Sequence, residues 1–185
     1  MKETKQHIFK IVLTGPESSG KTMLAEALAG TLKTAWSPEF ARSYLAHSGY
    51  PYTREDLGLI GRGQQSWERW YGDQASLILV CDTDWTVLQI WEHYRFGAPP
   101  DGTWCWQKGY TDPKPADLYL LCAPDFPPEP DPLRENSEER TILFEWYEQL
   151  LSSMGANYLT LHGAHSNRLK QVISRIDKIF GTLIS

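Results

Sequence analysis

An eight-residue segment near the start of the chain limits the fold more than any other feature of the sequence. Residues 15–22 read Gly-Pro-Glu-Ser-Ser-Gly-Lys-Thr and match the pattern G-x-x-x-x-G-K-[ST]. A short apolar run at residues 8–14 precedes the segment, and residues 21–33 follow it with leucine and alanine at helical spacing. A strand, a glycine turn and a helix in this order predict the first half of a βαβ unit.

The residue types in this segment favour binding of a nucleoside triphosphate. Glycine lets the backbone curl until successive N–H groups point inward, and the helix N-terminus adds partial positive charge. Lys21 is placed to reach the β- and γ-phosphates, and the Thr22 hydroxyl is placed to ligate Mg²⁺. The structural alternative, a glycine-rich turn with a surface lysine, is disfavoured by the flanking strand and helix. We therefore expect ATP and Mg²⁺ as cofactors, with the nucleotide held by Gly15, Glu17, Ser18, Ser19, Gly20, Lys21 and Thr22.

The rest of the chain continues the alternation of strand and helix. Further strands are predicted at residues 34–37, 76–81, 117–122 and 157–161, and helices at residues 39–47 and 54–75. Helical connections between successive strands require parallel pairing and cover both faces of the sheet. The whole chain, residues 1–185, is thus predicted to be one α/β domain with a five-stranded parallel sheet.

Two proline-rich stretches interrupt this alternation and flank the fourth predicted strand. The first, at about residues 96–114, predicts an ordered but irregular insertion that is rich in tryptophan and glycine. The second, at about residues 124–140, holds six acidic residues and two arginines. Long loops in compact domains often cover binding sites, so we expect this second stretch to form a lid.

The two arginines of the expected lid, Arg134 and Arg140, have two interpretations. On a lid that closes, they would neutralise the charge of a phosphoryl group during its transfer. In the alternative, they form ion pairs inside the segment with Glu135, Glu138 or Glu139. The sequence favours neither interpretation over the other.

Acidic residues follow the second and third predicted strands, where ligands of open α/β sheets bind. Asp82 ends an apolar run and is predicted to lie near the metal ion. Asp84 either caps a helix that starts at Trp85 or contacts the substrate. Glu39 is placed to meet the acceptor substrate, or is a surface acid in a first helical turn. Arg42, one turn later, contacts phosphate or pairs with Glu39.

Composition excludes several classes of protein. Apolar residues make up 41% of the sequence, which excludes intrinsic disorder for most of the chain. A net charge of −5 argues against a protein that binds nucleic acid. The sequence has neither an apolar run of the ~20 residues that span a bilayer nor a signal peptide, so no membrane association is expected. Three cysteines without metal-site spacing indicate a reduced, cytoplasmic setting.

Several segments together resemble one known family. GPESSGKT, PEFAR, CDTD with a Trp/Tyr-rich helix after it, DLYLLCAPDFP and the LR of the acidic stretch occur in this order. In this order and spacing, over about residues 8–180, the chain resembles the ribosylnicotinamide kinase domain of the NadR proteins. The resemblance implies a nucleoside-kinase-like P-loop fold that phosphorylates nicotinamide riboside with ATP to give nicotinamide mononucleotide. NadR proteins often carry a nucleotidyltransferase domain, and some a DNA-binding helix-turn-helix, ahead of the kinase. Only a few residues precede the first predicted strand, so we expect neither of these additional domains here.

The resemblance also implies roles for individual residues. The loop at residues 163–168 would lie beside the adenine and bring Arg168 to the nucleotide. Lys21 and a lid arginine would absorb charge in the transition state, while Glu39 or Asp82 orients the 5′-hydroxyl. Two other hypotheses remain, a deoxynucleoside or nucleotide kinase and a regulatory P-loop ATPase without a small-molecule acceptor. The oligomeric state stays open, a homo-oligomer included.

An unusual number of aromatic residues bears on the acceptor. Four of the eight tryptophans lie within residues 85–106, just after the predicted metal-site aspartate. The nicotinamide ring of the riboside is a cation, and cations bind aromatic faces with about 0.5–2 kcal/mol. We expect Trp85 and Trp91 to contact the ring, with further candidates in Tyr50, Tyr52 and Trp67. The alternative for each tryptophan is packing in the core.

Overall fold

Strands and helices alternate over residues 7–49, 51–127 and 139–181, the parts of the chain that the computed structural model describes. In order these elements are β1 (Phe9–Thr14), α1 (Lys21–Leu32), β2 (Trp36–Ser37), α2 (Phe40–Ser48), α3 (Arg54–Gly72), β3 (Ile78–Asp82), α4 (Trp85–Phe96), β4 (Leu118–Cys122), α5 (Arg140–Ser153), β5 (Tyr158–Leu161) and α6 (His165–Phe180). A short 3₁₀ helix, Cys105–Lys108, lies between α4 and β4.

The five strands form one parallel sheet in the order β2-β3-β1-β4-β5. This confirms the predicted α/β fold with a five-stranded parallel sheet. The chain leaves β1 towards β2 and β3 on one side and then crosses from β3 to β4 on the other side of β1, which opens a crevice at the carboxyl end of β1. Ligands of doubly wound sheets bind in such a crevice.

Helices cover both faces of the sheet, as predicted. Successive strand residues point to opposite faces, so neighbours along β1 enter different cores. Ile11 and Leu13 pack with residues of α1 and α6 in one core. Val12 packs in the other core with residues of α4 and α5. A third core joins α2, α3, α4 and the insertion through Leu45, Leu57, Ile60, Leu88, Trp106 and Tyr110.

The proline-rich insertion after α4 is irregular, as the sequence predicts, and is packed firmly on α3. The buried carboxylate of Glu92 accepts hydrogen bonds from the backbone N–H groups of Cys105 (2.8 Å) and Trp106 (3.4 Å). Gly109 approaches the backbone of α3 at Gly58 so closely that a Cβ has no room there. The insertion is therefore part of the core rather than a loose loop.

The acidic stretch that is predicted to form a lid lies mostly outside the described residues. Residues 128–138, with Arg134, Glu135 and Glu138, are in this part, so the roles predicted for them stay predictions. The described ends of the stretch follow β4 and lead into α5. Among the helices that the structure describes, none combines the length and the apolarity that a membrane crossing requires.

Candidate active site

The loop between β1 and α1 has a backbone that only particular residues can adopt. Gly15 has a φ of +127° and Gly20 a φ of +79°, conformations that side chains with a Cβ rarely adopt. A Cβ at Gly15 would also lie 2.7 Å from the carbonyl oxygen of Cys122. In the described structure no side chain caps the first turn of α1. The N–H groups of that turn are thus available to an anion, as expected for a phosphate site.

Lys21 lies across this loop. Its ammonium donates hydrogen bonds to the carbonyl oxygens of Gly15 (2.9 Å) and Pro16 (2.7 Å). The Ser19 hydroxyl also donates to Pro16, over 2.8 Å, and closes the turn. These contacts hold the Lys21 charge over the loop, where the sequence places the phosphates.

Thr22 and Asp82 meet at the carboxyl ends of β1 and β3. The Thr22 hydroxyl donates to Asp82 Oδ2 over 2.6 Å, and Asp82 is 1% exposed. Among the described residues Asp82 Oδ1 has no hydrogen-bond partner, and burial raises the pKa of this carboxyl. A buried oxygen without a partner beside a threonine hydroxyl fits the surroundings of a magnesium ion.

The donor set agrees with magnesium rather than with a metal bound by protein alone. In the part of the chain that the structure describes, no three His, Cys, Asp or Glu side chains form a metal cluster. Magnesium usually keeps several waters and binds through one or two protein oxygens and the phosphates of the substrate. The pair of Thr22 and Asp82 suits this mode.

Glu39 lies just after β2, at the start of α2, and faces the same crevice. Burial and the negative charge of Asp82 raise the pKa of Glu39 to about 7, while Lys21 and Arg42 act in the opposite direction. Arg42 Nε lies 3.3 Å from Glu39 Oε2, so the ion pairing that the sequence left as an alternative is present. The Glu39 side chain is 12% exposed. It is thus no ordinary surface acid, and the fold brings it into electrostatic contact with Lys21 and Asp82.

Asp84 is the N-cap of α4, one of its two predicted roles. Its Oδ1 accepts from the backbone N–H of Thr86 (2.9 Å) and from the Thr86 hydroxyl (2.6 Å). Its Oδ2 accepts from the Tyr119 hydroxyl over 3.0 Å and lies 3.9 Å from Lys10 Nζ. Since both oxygens are used inside the protein and the residue is 1% exposed, the structure does not support the substrate contact.

Arg140 is the first residue of α5 and holds the nucleotide loop from the side of β4. Its guanidinium donates to the carbonyl oxygens of Ser18 (3.2 Å), Pro124 (3.4 Å) and Phe126. Only 8% of the residue is exposed. In this structure Arg140 therefore contacts the loop that is predicted to bind phosphate, and its role in phosphoryl transfer stays a prediction.

Arg168, in the first turn of α6, makes a second set of bonds of the same kind. It donates to the carbonyl oxygens of Ser19 (2.6 Å) and Ala123 (2.7 Å) and to Asp125 Oδ2 (3.1 Å). Its guanidinium carbon also lies 4.8 Å from the centre of the Phe126 ring. With 1% of Arg168 exposed, the structure shows it bracing the nucleotide loop, and its contact with the nucleotide stays a prediction.

The structure corrects the role expected for Trp85. Its ring stacks on that of Trp106 with 4.9 Å between the ring centres, and the two residues are 7% and 1% exposed. Both belong to the third core, with residues of α2 and α3. Trp85 is therefore core packing, because α4 turns the first residue after its N-cap towards α3 and the insertion.

Trp91 is half-buried and stacks on Tyr52 with 6.0 Å between the ring centres. The guanidinium carbon of Arg95 lies 4.6 Å from the centre of the Tyr52 ring, so this ring already contacts a planar cation. Burial, followed by the charge of Glu17 of the nucleotide loop, raises the pKa of Tyr52. Trp67 instead packs edge-on against Phe40, and Tyr50 lies outside the described residues.

Some residues near the site were not foreseen. Tyr147 is buried on α5, and burial followed by the charges of Glu39 and Glu17 raises its pKa, which places it near both acids. Lys10 and Glu68 form a buried ion pair of 2.7 Å. The sequence offered one sign of this ion pair: Lys10 interrupts the apolar run of β1, and a charged residue in a buried strand requires a partner. Tyr147 gave no signal, since tyrosine is common in cores.

Comparison with protein families identifies the group to which the chain belongs. A model described as "AAA domain" matches residues 10–168, which include the nucleotide loop, Glu39, Asp82 and Arg168. The chain belongs to this AAA domain family. A comparison with curated protein sequences gives no match.

Solved structures of other proteins share this fold. A NadR protein in complex with NAD and AMP-PNP has a TM-score of 0.75 at 20% identity, over 94% of this chain and 50% of the NadR chain. A NadR protein in complex with NR has a TM-score of 0.76 at 20% identity, over 96% and 51%. This chain thus spans about half the length of these NadR proteins. The P-loop kinase fold implied by the resemblance is confirmed.

A third structure shows that the fold is not limited to NadR. Deoxyadenosine kinase from M. mycoides, with the products dCMP and a flexible dCDP bound, has a TM-score of 0.62 at 9% identity. The match covers 92% of this chain and 100% of the kinase. At these identities the likeness establishes a shared fold and leaves the acceptor open.

Proposed function

We propose that this chain transfers the γ-phosphoryl group of ATP to the 5′-hydroxyl of a nucleoside, and that the nucleoside is nicotinamide riboside. One observation carries the proposal: Lys21, the Thr22–Asp82 pair and Glu39 converge at the carboxyl ends of neighbouring strands. A cation, a metal-site carboxylate and a carboxylate with a pKa of about 7 are what phosphoryl transfer to an alcohol requires.

Each of these residues has a chemical task in the proposal. Glu39 accepts the proton of the hydroxyl, whose oxygen bonds to the γ-phosphorus as the bond from that phosphorus to the bridging oxygen of ADP breaks. Lys21 exchanges its contacts with Gly15 and Pro16 for phosphate oxygens. Thr22 and Asp82 would hold Mg²⁺, which supplies charge neutralisation to the phosphates when it is bound.

Nicotinamide riboside as the acceptor is supported by chemistry and by similarity. NR, the abbreviation for nicotinamide riboside, is the ligand of one NadR structure with the same fold. Trp91, which is half-buried and stacks on the buried Tyr52, is the aromatic face that the proposal assigns to the cationic ring. Burial, followed by the charges of Glu39 and Glu17, raises the pKa of Tyr147, which supports a location of this pair on the same side of the site as Glu39.

A deoxynucleoside kinase is the second candidate. It is favoured by the deoxyadenosine kinase structure, which this chain matches over the full length of that enzyme. The two candidates share the phosphate machinery and differ only in what binds at the aromatic pair.

Steady-state kinetics with a panel of acceptors tests the proposal. Purified protein with Mg²⁺ and ATP is assayed for ADP and, by mass spectrometry, for phosphorylated product with nicotinamide riboside, deoxyadenosine, deoxycytidine and uridine. The proposal expects the highest kcat/KM with nicotinamide riboside. A higher kcat/KM with a deoxynucleoside would favour the second candidate, and ATP hydrolysis without any phosphorylated acceptor would favour a regulatory ATPase.

A further inference from the structure

The side-chain amide of Gln64 bridges two loops of the candidate active site. Gln64 lies on α3, is 2% exposed, and accepts a hydrogen bond on Oε1 from the backbone N–H of Phe40 over 2.9 Å. Its Nε2 faces the carbonyl oxygen of Thr83 and Glu68 Oε1, at 3.5 Å from each. Phe40 directly follows Glu39, and Thr83 directly follows Asp82.

The chemistry of its neighbours orients this amide in one direction. An N–H donor faces one end of the amide and two oxygen acceptors face the other, so only one assignment of oxygen and nitrogen satisfies all three. Phe40 N–H belongs to the first turn of α2, where no intrahelical acceptor exists, so Gln64 supplies the acceptor that the helix lacks. The contact between helices is close here, because Gly63 has no space for a Cβ beside the Phe40 ring.

The partner of the Gln64 amide, Glu68, is itself held by buried charged and polar groups. Glu68, one turn along α3, forms a 2.7 Å ion pair with Lys10 and accepts a hydrogen bond from the Tyr110 hydroxyl. Lys10 also lies 3.3 Å from that hydroxyl and 3.9 Å from Asp84 Oδ2. Buried, fully satisfied polar networks of this kind are rigid, because any displacement leaves a charge without a partner.

We propose that Gln64 is a positioning residue of the phosphoryl-transfer site: its amide ties the start of α2, which carries Glu39, to the end of β3, which carries Asp82. The inference rests on the proposed function for its account of catalysis. A displacement of about 1 Å in a reacting group can lower the rate up to about 100-fold, so a tie of this kind matters for turnover. Gln64 is 2% exposed and its amide is bonded inside the protein, so it matters less for binding of nucleotide or acceptor.

The neighbouring residue provides a matched control. Gln65 is the same residue type on the same helix and is 8% exposed. Its amide bonds instead to Thr111 of the insertion, accepting from the backbone N–H (3.2 Å) and the hydroxyl (3.1 Å) and donating to the carbonyl oxygen. Gln64→Met and Gln65→Met each remove one buried amide and keep a side chain of similar length and helix propensity.

Two measurements on the full chain test the inference. The first is steady-state kinetics with ATP and the best acceptor: Gln64→Met should lower kcat about 10- to 100-fold and change KM for ATP less than about threefold. Gln65→Met should keep kcat within about threefold of wild type. The second is amide hydrogen exchange without nucleotide: exchange at Phe40 should accelerate about 5- to 10-fold in Gln64→Met and stay unchanged in Gln65→Met.

The outcomes separate this inference from the proposed function. Wild-type kcat in Gln64→Met, or an equal loss in Gln65→Met with an equal loss of thermal stability, would overturn a positioning role and leave Gln64 as packing. If the wild-type protein phosphorylates no acceptor, the proposed function fails. Hydrogen exchange at Phe40 then still shows whether Gln64 holds the start of α2. An unchanged exchange rate at Phe40 in Gln64→Met would show that the Gln64 amide does not hold the start of α2, and would overturn the inference.

Discussion

Replacing Glu39 by glutamine tests the electrostatics of the candidate site, because glutamine keeps the shape of the side chain and removes its charge. Burial and the neighbouring Asp82 raise the pKa of Glu39 from 4.5 to about 7. Above pH 7 the Glu39 side chain is ionised, and the ionised form is less stable in the folded protein than in the unfolded chain. This lowers the free energy of unfolding by an amount on the order of 3 kcal/mol. The pKa of about 7 already includes the opposing effects of Lys21 and Arg42, so this cost is the net one.

We expect Glu39→Gln to raise the free energy of unfolding at pH 8 by about 3 kcal/mol, and the gain should depend on pH. Below pH 4.5 the carboxyl is protonated in both folded and unfolded wild type, so the two proteins differ little. Between pH 4.5 and about 7 the unfolded wild-type chain loses a proton that the folded chain keeps. Wild-type stability relative to the variant therefore falls over this range and levels off above it.

Urea unfolding without nucleotide, at several pH values from 4.5 to 8.5, measures this difference. Glu145→Gln, which changes an exposed acid of α5 in the same way, is the control and should show no such pH dependence. Kinetics on the same proteins should give a lower kcat for Glu39→Gln with a smaller change in KM, because the carboxylate acts mainly in the transition state. A stability difference that is constant with pH, or a variant with wild-type kcat, would refute the reasoning.

The remaining predictions concern the nucleotide loop and the aromatic pair. Lys21→Ala should lower kcat at least about 100-fold with an unchanged circular dichroism spectrum, and near-normal turnover would contradict the loop assignment. Asp82→Asn should raise the Mg²⁺ concentration for half-maximal activity about 10- to 100-fold in a metal titration, whereas an unchanged requirement would separate Asp82 from the metal. Calorimetry should give nicotinamide riboside a 2- to 30-fold lower Kd than its neutral reduced form, roughly the range of a cation–π contact, and Trp91→Leu should remove that gap. Trp85→Leu should instead lower stability by about 3 kcal/mol in urea unfolding, as truncation of a core tryptophan does, and a fully stable variant would contradict its core position.

The parts of the site that could be predicted from sequence depend on local chain geometry. The loop at residues 15–22 is a continuous motif between a strand and a helix, so residues that are neighbours in the sequence are also neighbours in space. Asp82 was predicted because a parallel strand delivers its last residue to the ligand edge of the sheet. Capping by Asp84 was one of the two roles that the sequence left open, because the residue lies just before a predicted helix.

The contacts that could not be predicted join residues that lie far apart in the sequence. Arg168 braces Ser19, 149 positions earlier, and Gln64 reaches back 24 positions to Phe40. Nothing in the residues around Gln64 distinguishes it from Gln65, and only the packing of α3 on α2 gives the two different partners. Composition does not distinguish a tryptophan that stacks in the core from one that faces a ligand, so the sequence left both interpretations open for Trp85.

The central claim, phosphoryl transfer to a nucleoside, is tested most directly by following the phosphoryl group itself. Wild-type protein is incubated with ATP labelled at the γ-phosphorus, Mg²⁺ and nicotinamide riboside, and the products are separated by chromatography. The account predicts label in nicotinamide mononucleotide, dependent on Lys21, and little label in inorganic phosphate. Label found only in inorganic phosphate, with the riboside recovered unchanged, would contradict it.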